Sequence, residues 1–134
     1  MKHCFCAVVF LASCLSLSQD SPQYRTCNKK AVTQLELNSC ASDEAKRVDD
    51  ELNRVYKLLL STVADDTVAT AKIKAAQRAW IAYRNAYIDA MYPAEDKRLE
   101  YGSVFPMEEA LLRAKLTRQQ TDALRDILKE NEPQ

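Results

Sequence analysis

Glycine occurs once in this chain, at Gly102, and proline occurs only at positions 22, 93, 106 and 133. These two residue types supply most chain reversals and helix ends, so long segments of the chain contain no break. The segments between them are rich in Ala, Leu, Lys, Arg and Glu, which favour helix. The chain is therefore predicted to be all-α, a small bundle of about four helices.

The first long helix is predicted to begin near Thr33. The hydroxyl of Thr33 and the carboxylate of Glu36 have the spacing of a capping box. Apolar residues then recur at helical intervals up to about Val63, just before two consecutive aspartates. The predicted inward stripe consists of Ala41, Ala45, Val48, Leu52, Val55, Tyr56, Leu59 and Val63.

A second long helix is predicted after Asp66, antiparallel to the first. It ends near Met91, because Pro93 disfavours the helical conformation in the residue before it. Its predicted inward stripe consists of Ile73, Ala76, Trp80, Tyr83, Tyr87, Ile88 and Met91.

The C-terminal part is predicted to hold a loop and two shorter helices. Residues 92–106 form the loop, and a third helix follows Pro106, which suits a first helical turn. Thr117 and Gln120 have the spacing of a second capping box, so a fourth short helix is predicted to run to about Lys129.

The first 18 residues have the pattern of a secretory signal peptide, with a lysine near the start, an apolar run and small residues at the end. Residues 19–134 then form a single exported, periplasmic domain. An alternative is a lipobox, Leu-Ala-Ser-Cys, that ends at Cys14 and would leave this cysteine as a lipid anchor in the cell envelope.

Cys27 and Cys40 are the two cysteines of the exported part. In an oxidising compartment they are most simply a disulfide, which would stabilise the fold by about 3 kcal/mol through its short loop. A structural metal site is the weaker alternative, because the exported part offers no histidine and no further cysteine as ligands.

Charge and residue types exclude several classes of function. The leader takes one of the 19 basic residues and the single histidine but none of the 19 acidic residues, which leaves a nearly neutral domain. Neutrality argues against a nucleic-acid partner. Without histidine there is no Ser-His-Asp or Cys-His arrangement, and one glycine allows no phosphate-binding loop. The chain is predicted to be no enzyme and to hold no cofactor or metal.

Residues 75–87, AAQRAWIAYRNAY, place a cation within an apolar stripe. Arg84 shares the face of Trp80, and an unpaired charge away from water is costly. Asp49 is the inward carboxylate of the first helix, so an ion pair between Asp49 and Arg84 is predicted to join the two long helices. The predicted structural polar core is Asp49, Asn53, Tyr56, Gln77, Trp80, Tyr83 and Arg84.

Five segments carry a resemblance to a known family. They are T-Q-L-E-L-N-S-C-A (33–41), D-D-E-L-N-R-V-Y-K-L-L (49–59), A-A-Q-R-A-W-I-A-Y-R-N-A (75–86), G-S (102–103) and L-T-R-Q-Q (116–120). In this order they resemble the LprI-type lysozyme inhibitor family. The resemblance implies an exported helical domain that binds a protein partner, and a lysozyme-like muramidase is the first candidate.

A partner-binding segment is predicted in the loop, since inhibitors of cleft enzymes present protruding, pre-organised segments. Its acidic side chains would meet a basic enzyme surface and its aromatic ones would anchor in the cleft. An ordinary helix connection is the alternative, as is a non-inhibitory envelope role that binds a peptidoglycan fragment or another protein. The candidate residues are Tyr92, Glu95, Asp96, Glu100, Tyr101, Ser103 and Phe105.

Overall fold

The computed structural model describes residues 20–131, and every regular element in that range is helical. The helices are α1 (Pro22–Lys30), α2 (Gln34–Thr62), α3 (Thr67–Met91), α4 (Lys97–Tyr101) and α5 (Phe105–Glu130), and a 3-10 turn (Gly102–Val104) joins α4 to α5. The all-α prediction is confirmed. The predicted signal peptide, residues 1–18, and the possible lipidation site Cys14 lie outside the described residues.

Both long N-terminal helices have the predicted bounds, and the predicted capping box of α2 is present. Thr33 and Glu36 form the capping box of α2, with the Thr33 hydroxyl oxygen 3.2 Å from the Glu36 backbone nitrogen. Asp66 caps α3 through the backbone N–H of Ala69, at 2.8 Å. These short side chains satisfy amide groups that have no partner within the helix.

The prediction of two shorter C-terminal helices is wrong, because α5 is one continuous helix. Thr117 does not cap a helix: it is buried in the middle of α5, and its carbonyl accepts a hydrogen bond from the Thr121 hydroxyl at 2.8 Å. The buried positions Ala114, Thr117, Thr121 and Leu124 keep helical spacing through the supposed boundary. A capping-box pattern does not mark a helix boundary where the buried residues keep the same helical spacing on both sides of it and no Gly or Pro lies between them.

Two further elements were not anticipated from the sequence. Helix α1 begins at the cap Ser21, whose hydroxyl accepts from the Tyr24 amide, with Pro22 in the first turn. The predicted loop folds in part as α4, which ends at Gly102 with a φ of 73°, a conformation that disfavours other residues. The predicted disulfide is confirmed, and Cys27–Cys40 ties α1 to α2.

The order of the contacts defines how the helices run. Glu44 and Glu51 of α2 contact Arg118 and Arg125 of α5, each pair 74 residues apart, so α2 and α5 are parallel. α3 is antiparallel to α2, as predicted, because Val63 contacts Thr70 whereas Asp49 contacts the later Arg84. The main packed pair is nevertheless α2 with α5.

The apolar core has two clusters along this pair. One joins α2 to α5 and also receives side chains from α3; it consists of Leu52, Val55, Leu59, Val63 and Leu124, with Tyr56, Ala69, Ile73, Trp80 and Leu128 against them. The other lies under α1 and consists of Tyr24, Cys40 and Ala41, with Cys27, Ala31, Met107, Ala110 and Leu111. No helix within residues 20–131 is both long and apolar enough to cross a membrane.

A fully buried carboxylate, Glu44, joins α1, α2 and α5. It accepts hydrogen bonds from the Ser21 backbone N–H at 2.9 Å, from the Ser21 hydroxyl, from Arg47 at 3.0 Å and from Arg118. Burial raises the pKa of Glu44, but the hydrogen bonds from Ser21 and Arg47 and the charge of Arg118 outweigh burial, so the pKa lies below its ordinary value.

One heptad further along α2, Glu51 repeats this bridge at the surface. Arg54 donates two hydrogen bonds of 2.8 Å to Glu51, and Arg125 of α5 donates another. Arg54 chiefly, with Arg125, lowers the pKa of Glu51 to about 2 against a smaller opposing effect of burial. The pairing of α2 with α5 therefore includes two charged bridges in parallel register.

We predict that Glu44→Gln destabilises the protein by about 3–5 kcal/mol, because the substitution leaves the mostly buried guanidinium of Arg118 without its carboxylate partner. Urea unfolding followed by circular dichroism measures this difference. Asp50→Asn is the matched control, since Asp50 pairs with Lys46 on the exposed side of α2, and it should cost about 0.5 kcal/mol or less. Equal effects of the two changes would contradict the assigned role of Glu44.

A second prediction concerns acid. The pKa of Glu51 is about 2 in the folded protein and about 4.3 in an unfolded chain, so its contribution is complete above about pH 4.3 and is lost as the pH falls towards 2. Because its side chain is 36% exposed, the contribution is small. The drop in Tm between pH 6 and pH 2.5 should therefore be smaller in Glu51→Gln than in the unchanged chain. An identical drop in both would contradict a contribution of the Glu51 carboxylate to stability.

Candidate functional site

The predicted ion pair between Asp49 and Arg84 is present where α2, α3 and α5 meet. One terminal nitrogen of Arg84, Nη1, lies 3.4 Å from an Asp49 carboxylate oxygen and 3.4 Å from the Thr117 hydroxyl. The guanidinium also lies over the Trp80 ring, 4.9 Å from its centroid, which is a cation–π geometry. The Arg84 side chain is 13% exposed, whereas that of Asp49 is 49% exposed, so the pair is half open to water.

The remaining members of the predicted polar core separate into inward and outward residues. Gln77 is buried and accepts a 3.0 Å hydrogen bond from Gln120 of α5. Tyr56 and Trp80 are half-buried against the apolar core. Asn53 is exposed, and it donates to Asp49 at 3.3 Å, so it lies beside the ion pair as predicted. Tyr83 is 56% exposed, so the prediction that it lies inside is wrong.

The inward face of α3 is rotated relative to the predicted stripe. It follows Ile73, Gln77, Trp80, Arg84 and Ile88, while Tyr87 and Met91 are exposed. The rotation occurs because Gln77 and Arg84 find polar partners on α2 and α5. A buried polar group with partners is stable, so hydrophobicity alone does not decide which side of this helix faces inward.

The connection between α3 and α5 is folded upon an aromatic cluster of Tyr92, Tyr101 and Phe105. The ring centroid of Tyr92 lies 5.3 Å from that of Tyr101 and 5.1 Å from that of Phe105. The Tyr101 hydroxyl accepts a hydrogen bond from the backbone N–H of Ala94 at 3.2 Å. Phe105 is 7% exposed, and burial is the main cause of the raised pKa of Tyr92. These three side chains stabilise the connection, and the expectation that they protrude towards a partner is corrected.

The polar candidates of the connection are at the surface. Glu95, Asp96, Glu100 and Ser103 are exposed, and Asp96 caps α4 through the Leu99 amide at 2.9 Å. The backbone carbonyl of Ser103 accepts a 3.0 Å hydrogen bond from Asn38 of α2. The connection is thus held against the start of α2 by a defined contact.

Three apolar residues that sequence reasoning did not select protrude from the same end of the bundle. Leu99 is 84% exposed, Leu35 is 78% exposed and Val32 is 89% exposed. Leu35 lines a groove of about 380 Å³ together with Arg98, Gly102 and Ser103, which places the start of α2 beside α4. We call Val32, Leu35 and Leu99, with the acidic Glu95 and Glu100, the end surface.

A signal for the end surface was present in the sequence. Val32 and Leu35 flank the capping Thr33 and lie before the apolar stripe of the first helix begins at Ala41. Leu99 stands between charged residues in a segment predicted as loop. Large apolar residues outside any predicted stripe are candidates for exposure, and clustered exposed ones mark contact surfaces.

Comparison with known proteins gives two findings. A family model described as "Lysozyme inhibitor LprI" matches residues 27–124, from the disulfide in α1 to the last turns of α5. A relative in Rhizobium meliloti (strain 1021), "Uncharacterized protein R02472", is 31% identical, and the match covers 91% of this chain and 93% of the relative. No solved structure matches the chain.

We predict a small coupling energy between Asp49 and Arg84 in a double-mutant cycle of Asp49→Asn and Arg84→Gln. Because Asp49 is half-exposed and the contact is 3.4 Å long, about 0.5–1 kcal/mol is expected in urea unfolding. Strictly additive effects of the two substitutions would mean that the contact adds nothing to stability.

Proposed function

The chain belongs to the LprI lysozyme inhibitor family, and on that premise we propose that it binds a lysozyme-like muramidase and occludes its cleft. An inhibitor of this kind acts by binding and performs no catalytic step. The absence of histidine from residues 19–134 is in keeping with such a role, because the usual general base near neutral pH is missing.

The end surface is the face that we propose for the enzyme, and the exposure of Leu99 is the observation that carries this choice. A leucine that is 84% exposed contributes little to the fold and has its apolar surface free for a partner. Leu35 and Val32 extend this surface onto the start of α2. A few such residues supply most of the binding energy in protein interfaces.

The end surface is also held in one conformation before binding. Asp96 caps α4 at its start, Gly102 ends it, and the aromatic cluster supports it from below. The hydrogen bond from Asn38 to Ser103 joins α4 to α2. Pre-organisation of this kind lowers the entropy cost of association, which favours tight occlusion of a cleft.

Charge supports the same assignment. Glu95 and Glu100 lie on either side of Leu99 in the chain, and both are exposed. Acidic groups at the rim of an interface accelerate encounter with a basic enzyme surface, although they add little to the final affinity. By contrast, Arg84 and Gln77 of the polar core are mostly covered and are better suited to hold the helices together.

We further propose that the protein acts outside the cytoplasm, in the periplasm or elsewhere in the cell envelope. The predicted leader over residues 1–18 and the Cys27–Cys40 disulfide support export, because disulfides persist in oxidising compartments. Lipid anchoring at Cys14 is the alternative way of reaching the same compartment.

The test is a turbidity assay in which lysozyme lyses a suspension of bacterial cells in the presence of the purified protein. We expect inhibition by the unchanged chain, and we expect Leu99→Asp to raise the half-inhibitory concentration at least about tenfold, which is a loss of about 1.4 kcal/mol. Leu35→Asp should act in the same direction.

Val68→Asp is the matched control, because Val68 is 67% exposed at the opposite end of the bundle. It should leave inhibition unchanged. No inhibition by the unchanged protein at micromolar excess would remove the proposed function, whereas binding to a muropeptide without effect on lysozyme would favour an envelope binding module. Equal inhibition by folded Leu99→Asp and folded Val68→Asp would show that the end surface does not bind the enzyme.

A further inference from the structure

A groove of about 990 Å³ runs between α2 and α5 and is lined by no residue of α3. It begins at Ser21, beside the buried Glu44, and continues to Asp126 of α5. Its volume lies in the range of sites that hold small ligands. Glu44 lies roughly 13 Å along α2 from Leu35 of the end surface, at the rise of an α-helix. The groove, which we call the α2–α5 groove, is therefore a separate surface.

The head of the groove, next to Glu44, carries an excess of positive charge. Arg47 and Arg118 both pair with Glu44, and the exposed Lys115 lines the same end, so three cations face one anion. Arg118 contacts Glu44 through a single nitrogen, Nη2. Within residues 20–131 the buried side-chain nitrogen without a partner is Arg84 Nε, so the unused nitrogens of Arg118 are accessible.

The foot of the groove, one heptad further along both helices, carries the opposite charge. Glu51, Asp122 and Asp126 line it with a single cation, Arg125. The other cationic partners of these carboxylates do not line the groove. The α2–α5 groove thus has a positive head and a negative foot, and this favours a ligand that carries both charges over a simple anion or cation.

The middle of the groove sets the size of such a ligand. Its lining there is uncharged and mostly small, with Val48 of α2 and Gln119, Thr121 and Ala123 of α5. One heptad of helix separates the head from the foot by about 10.5 Å. An extended chain of about three residues spans the same distance.

We propose that the α2–α5 groove binds a short zwitterionic peptide of about three small residues, with its terminal carboxylate at Arg118 and Lys115 and its amino group at Asp122 and Asp126. A guanidinium and a carboxylate form charge-assisted hydrogen bonds, which are among the strongest that proteins make. Glu44 holds Arg118 in place before the peptide arrives, so the site is pre-organised.

The experiment is a titration of the purified full chain with trialanine, followed by the amide NMR chemical shifts of the protein. We expect saturable binding with a dissociation constant of about 0.1–1 mM, as suits so small a ligand. N-acetyl-trialanine and trialanine amide each lack one terminal charge, and each should bind at least about tenfold more weakly.

Two exposed residues test the orientation of the peptide without disturbing Glu44. Lys115→Gln should weaken trialanine binding about threefold but leave the binding of trialanine amide unchanged, because the amide has no carboxylate for Lys115. Asp126→Asn should likewise weaken trialanine but not N-acetyl-trialanine. The matched control is Lys74→Gln, which removes an exposed lysine of α3 and should leave every affinity unchanged.

Three results would overturn the proposal. One is the absence of saturable shifts up to about 10 mM trialanine, where binding is too weak to be specific. Another is an equal effect of Lys115→Gln and Lys74→Gln on trialanine binding. The third is binding of acetate as tight as that of trialanine, which would reduce the groove to a simple anion site. Lysozyme inhibition is no readout in this experiment, so the outcome is independent of the function proposed for the end surface.

Discussion

The buried carboxylate of Glu44 is the interaction on which the arrangement of the other helices depends. It has no exposed surface, so its charge must be balanced and its oxygens hydrogen-bonded within the protein. Ser21 supplies donors from the start of α1, Arg47 from α2 and Arg118 from α5. Because these donors come from three helices, a shift of any one of them would leave a charge without its partner. The carboxylate therefore holds α2 and α5 in parallel register and fixes α1 on top of them.

Two surfaces remain uncovered because the core is built mainly by α2 with α5. At one end, α4 presents the exposed Leu99, and Leu35 is exposed at the start of α2. Along the side, α3 is attached by a single seam around Arg84 and leaves its tyrosines in water. Both surfaces lie on helices, and both expose apolar side chains whose contact with water is unfavourable. The surface at the end of the bundle is the one that we propose for the enzyme.

Much of the fold was predictable, and the errors share one cause. The caps at Thr33 and Asp66 and the Cys27–Cys40 disulfide depend on neighbouring residues, so the sequence reveals them directly. The break predicted at Thr117 was wrong, because whether a threonine caps a helix or lies inside one depends on what packs against it. The inward placement of Tyr83 was wrong for the same reason. Gln77 and Arg84 have hydrogen-bond partners on α5 and α2, so the face of α3 that carries them points inward and Tyr83 points to solvent.

By itself, the sequence determined that the chain is helical, where α2 and α3 begin and end, and to which family it belongs, since these follow from local propensity and motifs. The tertiary structure alone decided which long helices pair, that α5 is continuous, and which apolar residues stay in water. These features depend on contacts between residues about 74 positions apart, such as Glu44 with Arg118. Such pairs leave no local pattern, because each member is an ordinary charged helical residue until the fold brings the other beside it.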